Sequence, residues 1–141
     1  MIADYNYYKN NFKGNKAPET DFERIEIKAS SQIKMFIMGK DYTNYNGKDH
    51  TEQIKMATCS AIDILYEAEQ KKKILDSMIS GNDNKIIISE KVKDYSRNYA
   101  TVSYKELQEQ ITDKNIRKKI KQELELYLYD TGLLNRGVDY V

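Results

Sequence analysis

A chain of 141 residues, 40% hydrophobic and 32% charged, has the size and balance of one globular domain, with roughly 68% of its unfolded-chain surface to bury. Its net charge of +1 calls for neither nucleic acid nor an anionic membrane as partner, and no apolar run approaches the roughly 20 residues of a bilayer span. A single cysteine, Cys59, and a single histidine, His50, exclude an internal disulfide, an intrachain thiolate cluster and a two-histidine zinc site.

Residues 1–17 mix tyrosine, asparagine, lysine and Gly14 without a sustained period, which predicts an N-terminal arm or loop, aromatic enough to dock. They also lack the apolar stretch of a signal peptide, so cytoplasmic residence is the expectation. A first helix is predicted over 20–38. Thr20 and Glu23 stand in capping-box relation behind Pro18, and Phe22, Ile25, Ala29, Ile33 and Phe36 recur at helical spacing up to Gly39.

After a polar turn carrying Tyr42, Asn44, Asn46 and Gly47, a second helix is predicted over 49–75, with Asp49 and Glu52 as another capping box. Its apolar face, Ile54, Ala57, Thr58, Ala61, Ile62, Ile64, Leu65 and Ala68, is wider than one partner helix requires, so this reads as the central helix. The pairs Glu67 with Lys71 and Glu69 with Lys73 predict that its distal half projects into solvent.

Ser80 to Asn84 break the pattern, and 82–102 reads as an extended arm or short hairpin. A final helical region is predicted over 103–130, with a possible break and new N-cap near Thr112 and Asp113. Ile111, Ile116, Ile120, Leu124, Tyr127 and Leu128 form its inner stripe, and Gly132 stops it. The fold class expected is mainly α, a small bundle of three to five helices with an arm or hairpin between the second and last long ones.

Catalytic constellations are hard to assemble from these residues. Cys59 and His50 lie nine positions apart, roughly 13 Å along a helix, and cannot touch; Cys59 reads as a small core side chain and His50 as a solvated one. The carboxylates sit mostly beside lysines, which gives no reason for the raised pKa that acid–base work needs. GNDNK lacks the lysine–serine/threonine step of a phosphate loop. The chain is therefore expected not to be an enzyme and to need no cofactor or metal. Arg117, Lys118, Lys119 and Lys121, in the helix 116–123, occupy the outer positions around Ile116 and Ile120; they read as a solvated face, with a small helical DNA-binding or regulatory module as the alternative. Twelve tyrosines, scattered rather than gathered on a sheet, suit rims and interfaces better than base stacking. The tail 131–141, with two leucines, a valine and a tyrosine around Arg136, has no further element to cover it and should seat in a pocket, either of the chain's own core or of a neighbour.

YYKNNFKGNKAPETDFERIEIKAS near the start, AIDILYEAEQ after the cysteine, ISEKVKDYSRNYA and the closing YLYDTGLLNRGVDY together resemble the head-tail connector proteins, or portal adaptors, of long-tailed bacteriophages and of prophages in low-GC Gram-positive bacteria. YYKNNF and TGLLNRGV are the most specific pieces, and the likeness runs over nearly the whole chain in order. KKKILDSMISGNDNK is longer than the pattern allows, and Ser103 to Asn115 carry extra helix-forming sequence.

The resemblance implies a structural virion protein that assembles as a ring, a dodecamer in the virion and compatible with a monomer in isolation. It implies a place at the virion neck, reached from the host cytoplasm, between the portal protein and a stopper or tail-completion protein. Double-stranded DNA would pass through the channel without sequence-specific binding, and no membrane is involved. Under that expectation protein contacts fall on Ile86, Ile88, Val92, Tyr95 and Tyr99 in the arm, and on Leu133, Leu134, Arg136, Val138 and Tyr140 in the tail.

Overall fold

The computed structural model describes residues 1–79 and 108–134. The chain is mainly helical, as a small helical bundle requires, and among the described residues no strand forms. The helices given in full by the described residues are α1 (Tyr5–Asn10), α2 (Glu19–Phe36), α3 (Thr51–Ile79) and α4 (Asp113–Leu128). Two compact units emerge, residues 1–66 with 117–141, and residues 67–116. The predicted arm 82–102, and 103–107 of the last predicted region, lie outside the described residues.

In the first unit α3 is the enclosed element. Six consecutive residues, from Ala57 to Ile62, are buried, although six residues of a helix sweep through more than a full turn. Such a segment is covered on every side, and four of the six are Ala, Ser or Cys, small enough for neighbours to come close. The central role expected of this helix is thus correct. The same unit holds the buried stripe of α2 (Phe22, Ile25, Ala29 and Ile33) and that of α4 (Ile120, Leu124 and Leu128).

The N-terminal stretch departs from the expected arm. Asp4 caps α1, its carboxylate accepting from the Tyr7 amide at 2.8 Å, and Tyr7 and Tyr8 are buried. The ring of Phe22 on α2 lies 5.3 Å from both Tyr5 and Tyr8, edge-on to the former. A six-residue helix has no apolar period to display, so the pattern that revealed the longer helices could not reveal this one.

Neither capping box forms. Helix α2 starts one residue early behind Pro18, whose fixed φ suits the position but which offers no side-chain cap, so Thr20 lies within the first turn. At α3 the Asp49 carboxylate accepts from the Thr51 amide at 2.9 Å, two residues on, and Glu52 turns elsewhere. The expected break before α4 is correct: Thr112 Oγ1 accepts from the Asn115 amide at 3.3 Å.

The loop after α2 is stitched by its own residues. Gly39, at φ 69, lets its amide reach back to the Lys34 carbonyl at 3.0 Å. Asn46 and Gly47, both at positive φ, form a two-residue reversal closed by Tyr45 and Lys48, the geometry that an Asn-Gly pair favours. His50 is buried rather than solvated: its amide donates to the Tyr42 carbonyl at 2.7 Å, and its Nε2 sits 3.1 Å from the Tyr45 carbonyl.

In the second unit Lys71, Ile74 and Leu75 are buried, so the distal half of α3 does not project freely into solvent. Of the glutamate–lysine pairs that suggested exposure, Lys71 is itself buried, Glu67 and Glu69 are half-buried and Lys73 alone is exposed.

Gly14 lies against the flat of Tyr8, whose hydroxyl is tied down, and a Cβ there would run into the ring. Gly14→Ala should therefore destabilise the fold by about 1–3 kcal/mol, read as a lowered urea midpoint at unchanged slope.

Candidate protein-interaction surface

Three carboxylates dock the N-terminal segment. Glu26 on α2 is almost fully buried, and its Oε2 accepts from the Ile2 amide at 2.8 Å, the Ala3 amide at 3.2 Å and Ser30 Oγ at 2.7 Å. Its Oε1 is buried without a hydrogen-bond partner among the described residues, so the carboxylate holds the segment through one oxygen. Tyr7 donates to Glu52 at 2.7 Å, and Lys55 Nζ lies 5.2 Å from its ring centre.

Tyr8 donates to Asp63 at 2.6 Å, and its oxygen accepts from the Lys16 and Ala17 amides at 3.1 and 3.0 Å. The chain thereby wraps around one phenol. Burial, reinforced by the bond to Asp63, pushes the Tyr8 hydroxyl up to about 12; burial and then Glu52 raise Tyr7 as well. None of these acceptors was legible beforehand, because a glutamate on a helix is ordinarily solvated. Glu26 could have been found only by its place on the α2 apolar stripe, one position after Ile25 and three before Ala29.

Cys59 is buried as expected. Burial first, then the negative charge of Asp63, push its thiol up to about 12, so at neutral pH it is protonated and a poor nucleophile. His50 is occupied at Tyr45 and does not meet it. No cluster of three or more potential metal ligands occurs among the described residues, and no helix there is long and apolar enough to cross a membrane.

Of the ten residues expected to carry protein contacts, eight lie outside the described residues: Ile86, Ile88, Val92, Tyr95, Tyr99, Arg136, Val138 and Tyr140. Leu134 is half-buried. Leu133 is fully buried, and its carbonyl accepts from Lys40 Nζ at 2.8 Å; the core of its own chain has taken it, which corrects its assignment to an interface. Gly132, at φ 79, and the Thr131 hydroxyl, which donates to the Leu128 carbonyl and accepts from the Leu133 amide, turn the chain inward there.

Exposed apolar surface lies elsewhere, on residues that core patterning passed over. Ile27, Met35 and Met38 are 59%, 52% and 52% exposed along the outer side of α2 and its C-terminal turn. Leu126 and Tyr129 are 69% and 81% exposed at the far end of α4. The basic residues Arg117, Lys118, Lys119 and Lys121 are exposed on the earlier half of α4, around buried Ile120. A shallow groove lined by Thr20, Glu23, Arg24, Ile27 and Lys28 runs beside Ile27.

Two measurements follow. Glu26→Ala, which strips the acceptor from the two N-terminal amides and Ser30, should cost about 2–4 kcal/mol and abolish hydrogen-exchange protection at Ile2 and Ala3. For Cys59 and Tyr8 the folded values lie above the ordinary 9.0 and 10.0, so their contribution is complete below about pH 9 and declines as pH rises toward 12. Thermal midpoints should thus hold steady to about pH 9 and fall beyond it, and Cys59→Ala should make the first part of that fall shallower.

Set beside known proteins, the chain matches no protein-family model, no curated protein and no solved structure.

Proposed function

We propose that this protein works by contact rather than by catalysis, as a ring-forming head-tail connector. In this reading it binds a portal protein on one side and a stopper or tail-completion protein on the other, with double-stranded DNA passing through without sequence readout. The observation that carries the contact-based reading is the exposed apolar surface of the first unit: five large side chains, from Ile27 to Tyr129, lie more than half exposed on two helices and the turns that end them, while the helices' inner stripes are already buried. Surface of this kind is costly to leave in water and profitable to cover on assembly. The resemblance of YYKNNF and TGLLNRGV to connector sequences supplies the identity of the partners. Weak contacts suffice in such a setting, because each is repeated around a closed ring.

A second reading draws on the four exposed cations of α4, which suit a small DNA-binding module. Glu123 and Glu125 on the same helix weaken it by putting negative charge within a turn of the basic run.

A chain ending at Leu134 retains Leu133 in the core and removes Arg136, Val138 and Tyr140. It should melt with the full-length protein yet lose co-purification with the portal and completion of infectious particles; undiminished portal binding would refute the tail's role. Duplex DNA should bind feebly, with little dependence on salt. A log–log slope near minus 4, about one unit for each of four cations on phosphate, would favour the DNA-binding module instead.

A further inference from the structure

We infer that the outer faces of α2 and α4 are the two halves of one contact, the α2 face of one copy docking alongside the α4 face of the next. The setting of this contact rests on the ring reading; its geometry comes from the two faces themselves. Glu23 and Lys34 on α2 are eleven residues apart, and so are Lys119 and Asp130 at α4. Eleven residues are close to three full helical turns, so Glu23 and Lys34 mark two ends of one line about 16 Å long on α2; from Lys119 the same line is helical to Leu128, and Asp130 follows in the turn that ends α4. The charges run acid then base on α2, and base then acid on α4. Laid side by side in the same direction, Glu23 comes level with Lys119 and Lys34 with Asp130.

Ile27, Leu126 and Tyr129 then fall between these ends and Met35 one residue past Lys34, with no two at the same level. Ile27 and Met35 lie four and twelve residues beyond Glu23, while Leu126 and Tyr129 lie seven and ten residues beyond Lys119. In this register the two α4 side chains enter the gap between the two α2 side chains, the interdigitation that packed helices use. All four are more than half exposed in the single chain, and all eight residues belong to the same compact unit. Reversing one helix would set Glu23 against Asp130 and Lys34 against Lys119, which disfavours the antiparallel arrangement.

Because the two faces differ, the contact is heterologous: a row of copies keeps a free α2 face at one end and a free α4 face at the other, so it adds copies until a ring closes or else grows as a filament. A contact of α2 with α2 would stop at a dimer.

Charge reversal separates these cases. Wild-type protein should self-associate with rising concentration in sedimentation velocity, beyond a dimer. Glu23→Lys and Lys119→Glu should each weaken that association by about two- to five-fold per contact, without changing the thermal melt. An equimolar mixture of the two variants should recover it, since copies of the two kinds can alternate and positions 23 and 119 then carry opposite charges at every contact. Three results would overturn the contact: no self-association at the highest soluble concentration, an effect of Glu23→Lys with none of Lys119→Glu, or a mixture no better than either variant alone. The ring reading is judged separately by electron microscopy of wild-type protein on its portal. Rings there with Lys119→Glu unaffected would discard this contact and keep the ring, whereas absence of rings with wild-type protein would discard the reading itself.

Discussion

Covering the middle of α3 is the constraint on which the first unit depends. A helix with one apolar stripe needs one neighbour, but the run from Ala57 to Ile62 presents buried side chains in every direction and has to be walled on all of them. Helices α2 and α4 bring buried isoleucine and leucine stripes to the same unit, surfaces suited to such walls. The N-terminal segment contributes to the rest, which is why Tyr7 and Tyr8 reach to Glu52 and Asp63, acceptors on α3 placed either side of the enclosed run. The small residues of that run fit the same logic, since bulk there would hold the walls apart.

Docking a peptide segment requires partners for its backbone as well as burial for its side chains. Glu26 provides them for Ile2 and Ala3, at a position otherwise occupied by core residues. A buried carboxylate is costly in isolation, and three hydrogen bonds to one oxygen offset that cost by spreading the charge. The segment is thus held by acceptors distributed over two helices, and loosening it would uncover both Glu26 and the buried side of Tyr8 together.

Much of this fold was legible in the sequence. Periodicity located α2 and α3 to within a few residues and the C-terminal end of α4, whose start was marked not by period but by Thr112, an N-cap as its residue type suggests, and the glycines at 39 and 132 marked real changes of direction. What escaped were decisions made across the chain. Glu52 and Glu23 have the spacing of local caps, but Glu52 is claimed by a tyrosine 45 residues away and Pro18 moves the start of α2. His50 is buried because a backbone carbonyl in its own loop receives it, a match no spacing announces. A leucine beyond the last helix suits its own core and a neighbour equally, and it is the turn at Gly132 that takes Leu133 inward. Of the contact surface, the basic half of α4 was visible in advance, while Ile27, Met35, Leu126 and Tyr129 were hidden among polar positions where a core pattern gives no reason to look.

With Leu133 sunk in the core and pinned to Lys40, every residue beyond it is on a leash of known length. At no more than about 3.6 Å per residue, Arg136 stays within about 11 Å of that pin, Val138 within about 18 Å and Tyr140 within about 25 Å. Under the proposed contact through the tail, a partner would have to present its pocket inside that radius, so a single buried leucine sets how near it must come.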